Sequence, residues 1–339
     1  MHQVIARCRT GSSHITRHKP CQDRLCHVQT PDFTLVAVAD GHGSAEYTRS
    51  GLGARFAVYA AQKILPSDAP DEEVVGDIKW LYDHMVARHM ARHPLSDREM
   101  GLLSAARLHP VAAYGCTLAV AVIDYAHNST TRYCLGDSGV FCIDTSGHFP
   151  PPLPEDPACV GSATSSMCQS PETVKQHFRI QHLDGSIMAA VGVHSDGAEA
   201  EDWRAAEALF SKGDDEESTE SMENRVSKLL KLTNHGDDQT FVLAVDPEAV
   251  NTDAFQAGLA KEIRRGHQLM ALNCGVEKRK QMETYLRLLL DKAKRLSGSE
   301  AVKFKDEVLR PAAEEFAALN NTIEVLRKEV LRKELEEVP

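Results

Sequence analysis

Five aspartates stand where a strand-like run gives way to a turn. Asp40 closes the apolar run Phe33-Thr-Leu-Val-Ala-Val-Ala39 and opens Asp40-Gly41-His42-Gly43. Asp23 follows Pro20-Cys21-Gln22, Asp137 lies in Gly136-Asp137-Ser138, Asp196 in Ser195-Asp196-Gly197, and Asp238 in Gly236-Asp237-Asp238. Carboxylates, with water and backbone carbonyls, are hard oxygen ligands suited to Mg²⁺ or Mn²⁺, whereas zinc prefers Cys and His. Two such ions about 3.5 to 4 Å apart clamp the oxygens of a phosphoryl group under in-line attack, so hydrolysis of a phosphate ester is the chemistry these residues suit. Taken singly each motif is a common turn sequence, and an Asp at a strand end more often caps than ligates. His42 adds an imidazole that titrates near neutral pH, fit for proton transfer or for holding a water. His194, beside Ser195-Asp196, reads as structural. Cys21 and Cys26 lack a second pair and read as free thiols rather than a zinc site.

The chain that carries these groups has 339 residues, 42% of them hydrophobic, enough for one large domain with an appendage. Net charge is -11. Up to residue 247 there are 21 Lys+Arg against 33 Asp+Glu, and beyond it 17 against 16. An acidic body without a basic stripe argues against nucleic acid as a partner. No apolar run of about 18 residues exists to span a bilayer, and Met1-His-Gln-Val-Ile-Ala-Arg lacks the apolar stretch of a signal peptide. A cytoplasmic protein is expected, with its nine cysteines reduced.

Buried strands are expected at 33–39 and 115–124, with further strands at 130–135, 139–144, 177–183, 186–194 and 239–246. Gly136-Asp137 and Asp184-Gly185 read as turns pairing their neighbours, and Leu183–Ile187 as a hairpin. Helices are expected on the faces Leu52, Phe56, Tyr59, Ala60, Ile64 and Val74, Ile78, Leu81, Met85, and again at Val226, Leu229, Leu230, Leu232. Phe149–Pro157 with the Gly/Ser/Thr-rich run to Ser170, and the acidic run Asp214–Glu220, read as surface loops. After Pro247 only helical patterns remain. One helix is marked by Phe255, Leu259 and Ile263, a second by Met282, Tyr285, Leu286, Leu289 and Ala293, and a third by Phe316, Leu319, Ile323, Leu326 and Val330. The third spacing is heptad-like, with Glu324/Lys328 and Glu329/Lys333 in support. Pro311 should end or kink any helix that begins near Ser299.

The order of the motifs says more than any one of them. The chain runs Gly11-Ser-Ser-His14, Lys19-Pro-Cys-Gln-Asp23, Val38-Ala-Asp-Gly-His-Gly43, Gly115-Cys-Thr117, Leu135-Gly-Asp-Ser138, His194-Ser-Asp-Gly197 and Asp237-Asp-Gln-Thr240. Over roughly residues 8 to 246 this resembles the type 2C metal-dependent serine/threonine protein phosphatases, and Pro-Cys-Gln-Asp looks like their bacterial, signalling branch. The resemblance implies an α+β fold, a four-layer sandwich of two antiparallel β-sheets flanked by helices. A catalytic domain at 1–247 would be followed by a helical extension at 248–339.

It also implies roles. Asp40 bridges two Mn²⁺ or Mg²⁺ ions, Gly41 lends its carbonyl, Asp196 and Asp238 complete the shell, and Asp23 acts directly or through water. Asp137 matches the position of a third, looser ion, and His42 matches the general acid. Asp237 is the alternative to Asp238, which the resemblance favours. Many members place an Arg five residues before the first Asp to grip the substrate phosphate. Here that residue is His18, so Arg17 or Lys19 takes over or the metal holds the phosphate; Arg17 is the candidate, since only Arg offers a bidentate fork. Gln22 replaces an acidic residue common beside the metal-binding Asp. The expected substrate is a phosphoprotein. The alternatives are a pseudo-phosphatase binding module that works through its tail, and a hydrolase of small phosphate esters. The tail either packs internally or on the catalytic domain, or serves as a homodimer or partner-docking arm.

Overall fold

The structure is a computed structural model and describes residues 2–65, 69–159, 163–185, 187–211, 221–233 and 236–336; the acidic run Asp214–Glu220 lies outside them. The first half of the chain gives β1 (Gln3–Arg9), α1 (Ser12–Thr16), β2 (Arg24–Gln29), β3 (Phe33–Ala39), α2 (Ser50–Ile64), α3 (Asp71–Arg92), α4 (Asp97–Ala105), β4 (Leu118–Asp124), β5 (Ser129–Leu135) and β6 (Gly139–Ile143). The second gives α5 (Pro171–His177), β7 (Arg179–Asp184), β8 (Ala190–His194), α6 (Asp202–Phe210), α7 (Met222–Leu232), β9 (Gln239–Val245), α8 (Asp253–Ala293), α9 (Gly298–Phe304) and α10 (Arg310–Glu336). Two compact units result, Met1–Ala260 and Lys261–Pro339. Among the described residues no helix is long and apolar enough to cross a membrane.

In the first unit two antiparallel sheets, ordered β2-β3-β4-β5-β7 and β1-β9-β8-β6, stack face to face. Alternation along β3 explains why its apolar run is continuous. Val36 and Val38 meet Val191, Val193, Val242 and Ala244 between the sheets, while Leu35, Ala37 and Ala39 turn to the outer helices and join Ala54, Ala57 and Ile78. On the far side Phe141 and Phe241 stack at 6.0 Å, and α6 and α7 bury Leu209, Phe210, Val226 and Leu230. The expected sandwich of two helix-flanked sheets is what the chain forms.

Two turn readings fail. Gly136-Asp137 and Leu183–Ile187 do not close hairpins, because β5 and β7 belong to one sheet and β6 and β8 to the other. Gly136 (φ 86) and Gly185 (φ 68) do adopt the left-handed conformation that turns need. A local turn signal cannot tell a hairpin from a crossing between stacked sheets. The unexpected strands β1 and β2 lie at sheet edges, where Arg7, Arg9, His27 and Gln29 are tolerated and break the apolar pattern.

The helical tail also differs from expectation. Its first two expected helices are one, α8, since residues 264–281 contain no Pro and are mostly good helix formers. The start of α8 belongs to the first unit, where Phe255 meets Phe210 at 5.8 Å and is fully buried. In the second unit the stripe on α10 is matched by one of the same spacing on α8: Gly275, Met282, Leu286 and Leu289. Gly275 faces Ile323, and Lys278 pairs with Glu315 at 3.7 Å. The heptad-like seam is thus used inside the chain, as a pair of antiparallel helices. A π-helical segment, Lys305–Leu309, joins α9 to α10 just before Pro311, whose ring cannot accept an ordinary turn there.

α2 is seated against the chain that leads into β4. A methyl added at Gly53 would lie 1.8 Å from the Tyr114 carbonyl oxygen. Gly53→Ala is therefore expected to lower the urea-unfolding free energy by about 1–3 kcal/mol; an unchanged midpoint would show that α2 is not held against Tyr114.

Candidate active site

Asp40 emerges from β3 into a backbone latch. Its N–H donates to Thr117 Oγ1 at 3.2 Å, its carbonyl accepts the Thr117 N–H at 2.9 Å, and Thr117 Oγ1 meets Ser138 Oγ at 2.6 Å. The motifs Gly115-Cys-Thr117 and Gly136-Asp-Ser138 therefore position the third motif. Gly41 bridges to Cys116, and a Cβ on it would strike the Gln22 carbonyl oxygen at 2.8 Å. The His42 N–H donates to the Gly115 carbonyl at 3.2 Å. Its ring stands edge-on to Tyr47, 4.7 Å between centroids, in space that a side chain at Gly115 would fill. Asp196 follows β8, whose end is tied to β9 by Ser195 N–H to the Thr240 carbonyl and Thr240 N–H to Ser195 Oγ, both 3.0 Å.

A cavity of about 640 Å³ is lined by Asp40, Gly41, His42, Asp137, Asp196 and Asp237, among others. Asp23 lies behind it, 1% exposed. Both oxygens of Asp23 and Oδ1 of Asp196 are buried without a hydrogen-bond partner. Burial pushes Asp23 up to about 7. Asp40 is raised well above the usual carboxylate range, first by burial and then by the charges of Asp23 and Asp196, and Asp137 is raised by burial and by Asp196. Clustered carboxylates with unsatisfied oxygens are a setting in which a cation fits. Among the described residues no three His, Cys, Asp or Glu side chains converge closely enough to hold an ion unaided. Mg²⁺ ordinarily keeps several waters and takes one or two carboxylates. Burial lowers the His42 imidazole to about 4, against the pull of Asp196.

At the end of the chain's motif series, the expected and alternative residues have different surroundings. Asp238 is 2% exposed, and its oxygens accept the N–H groups of Gly11 (2.8 Å) and Gln22 (2.6 Å), with His14 Nδ1 at 2.9 Å. Its carboxylate fastens the Gly11 and Gln22 backbone, and of the two neighbouring aspartates Asp237 is the one that lines the cavity. The Asp-Asp doublet carried that alternative, but nothing in it said which side chain turns inward. Arg17 lines the cavity, whereas His18, in the left-handed region at φ 55, does not. Lys19 Nζ donates to the Gly43 carbonyl at 3.1 Å. His194 is buried between Phe241 and Gly139, a packing role, as expected. Cys21 and Cys26 are both free thiols. Tyr47 carried no signal in the sequence at all.

The family model for protein phosphatase 2C matches residues 10–231, well over half of the chain. This chain belongs to that family. No curated protein sequence matches it. Solved structures similar to it include a mutant form of a bacterial serine phosphatase, at 15% identity and a TM-score of 0.48, covering 73% of this chain and 99% of that one. Serine/threonine phosphatase Stp1 from Staphylococcus aureus aligns at 14% identity and a TM-score of 0.48, covering 73% and 95%. RsbX in complex with magnesium aligns at 15% identity and a TM-score of 0.43, covering 72% and 98%.

The raised carboxyls fix a sign for metal-free stability. A carboxyl whose folded pKa lies above its unfolded value holds a proton that the unfolded chain has released, so its contribution is complete below about pH 4 and is lost as pH rises through the folded value near 7. In chelator the melting temperature should fall as pH rises from about 4 to about 7, by roughly 2–4 °C for each kcal/mol lost. Asp40→Asn should raise it and flatten the slope. A metal-free melt independent of pH would show that the carboxylates do not repel one another.

Proposed function

We propose that this chain hydrolyses phosphoserine and phosphothreonine in proteins and requires Mn²⁺ or Mg²⁺. The observation that carries the reading is the set of buried, unpartnered carboxylate oxygens of Asp23 and Asp196 around Asp40, open to a cavity of about 640 Å³. Asp40 and Asp196 would hold the ions with Asp237, the Gly41 carbonyl and water; Asp23 would act from behind, and Asp137 would serve a third, looser site. When bound, such ions supply positive charge to the phosphoryl group and make water more acidic.

The chain's own residues do the rest. Arg17, on the cavity wall, offers a guanidinium fork to the phosphate. His42, fixed by Tyr47 and the Gly115 backbone, delivers the proton to the departing Ser or Thr oxygen. Burial disfavours its charged form, and the approach of a phosphate dianion restores it. Phosphoproteins are the expected substrates, and a cytoplasmic setting accords with the free cysteines.

Purified protein should hydrolyse p-nitrophenyl phosphate with added Mn²⁺ and lose that activity in chelator. Asp40→Asn and Asp196→Asn should each lower kcat by two or more orders of magnitude, and His42→Ala by about 10²–10⁴. Asp237→Asn should weaken Mn²⁺ binding by calorimetry with little change in melting temperature, and Asp238→Asn should do the reverse. Activity that survives Asp40→Asn and Asp196→Asn would refute the ligand assignment.

A further inference from the structure

Beside the acidic cavity lies a second one of about 670 Å³, and Ser44 and Tyr47 line both. One wall is rigid. Arg49 grips Glu99 through Nε at 2.8 Å and a second nitrogen at 3.0 Å, and also donates to the His93 and Pro94 carbonyls. Arg49 holds Glu99 down to about 2, so the two charges cancel within the wall. Lys19, Arg24 and Arg98 remain as uncancelled cations on the lining, over an apolar floor that includes Leu52 and Leu102. They are clustered cations on a part of the chain whose net balance is acidic, 21 Lys+Arg against 33 Asp+Glu up to residue 247. Lys19 is tied to the Gly43 carbonyl, one residue from His42. Arg98 is exposed on α4 and has no carboxylate partner among the described residues.

We propose that this groove receives the stretch of a phosphoprotein substrate next to its phosphorylated residue and selects acidic side chains there, with Arg98 and Lys19 as the selecting cations. The proposal rests on the phosphatase reading above. Solvent-exposed ion pairs are individually weak, so two cations should give roughly a fivefold preference, screened by salt.

The test compares a phosphothreonine peptide flanked on both sides by aspartates with its serine-flanked counterpart, as a ratio of kcat/KM in which any general loss of activity cancels. The wild-type ratio should favour the acidic peptide, fall in high salt, and vanish or reverse in Arg98→Glu. Equal rates, or a preference that survives Arg98→Glu, would overturn it. Fluorescence anisotropy of the same labelled peptides reads the groove without turnover. If neither peptide is hydrolysed, acidic-over-neutral binding that Arg98→Glu abolishes keeps the groove while the phosphatase reading falls, and equal binding removes the groove.

Two thiols carry a second inference independently. Cys8 on β1 and Cys21, two residues before Asp23, bring their sulfurs to 3.3 Å; Cys8 is exposed and Cys21 half-buried. We infer that hydroperoxides convert this pair to a disulfide. Cys8 sulfur attacks the peroxide oxygen and releases water, giving a sulfenic acid; Cys21 sulfur then attacks that sulfur and expels a second water, so hydrogen peroxide is reduced and both thiols are oxidised. The bond would fasten β1 to the segment whose Gln22 N–H donates to Asp238. Peroxide-treated full chain should lose two hydrogens by intact mass and yield a Cys8–Cys21 peptide on digestion, reversed by dithiothreitol. Cys21→Ser should stop at a sulfenic acid that dimedone traps on Cys8. Linkage through other cysteines, or oxidation of Cys8 without linkage, would overturn the inference.

Discussion

The constraint that organises the catalytic unit is the concentration of negative charge at one end of a sandwich. Asp23, Asp40, Asp137 and Asp196 are drawn toward one cavity, and burial raises the carboxyls of the first three. Left alone, such groups either take up protons or push apart. Two β-sheets that interlock through Val36, Val38, Val193 and Val242 supply a frame stiff enough to resist that separation.

The latch at the strand ends converts that frame into positions. Thr117 clasps both backbone groups of Asp40 and reaches Ser138, so one strand end fixes its neighbour and the turn beyond. Asp238 does the same for the opposite wall, drawing Gly11 and Gln22 onto β9. A buried carboxylate that accepts backbone N–H groups is held by charge-assisted bonds stronger than neutral ones. The partners of this buried acidic residue are the amides of the segments that lead to Arg17 and Asp23. The helices at the outer faces act at one remove, by fixing the strands from which Asp40 and Asp196 emerge.

Much of this was legible in the sequence because period and turn chemistry are local. β3 lies at its expected residues, since a seven-residue run with six apolar residues, bounded by Asp32 and Asp40, admits few other readings. The motif order singled out Asp40, His42, Asp137 and Asp196, and all four line one cavity. What stayed hidden depends on pairing. β1 and β2 are edge strands whose charged residues mask the alternation, and the Gly136 turn gives no sign that β5 and β6 part into different sheets. Asp237 and Asp238 are neighbours of one residue type, and only the partners waiting on each side separate them. The Cys8–Cys21 approach joins segments that sequence spacing does not relate.

The local conformation at α1 accounts for the guanidinium on the cavity wall. α1 is a single turn that ends at Arg17, and His18 follows in the left-handed region, the usual way for a helix to stop. A non-glycine residue there bears a cost of about 1 kcal/mol or more, yet Lys19 N–H bonds back to the His14 carbonyl at 2.9 Å and closes the turn. Such a reversal sends consecutive side chains in different directions. Arg17 stays on the cavity wall, His18 leaves it, and Lys19 reaches the Gly43 carbonyl. The absence of an Arg at position 18 therefore does not leave the wall without a guanidinium: a one-residue offset in sequence is absorbed by a backbone that turns back on itself just there.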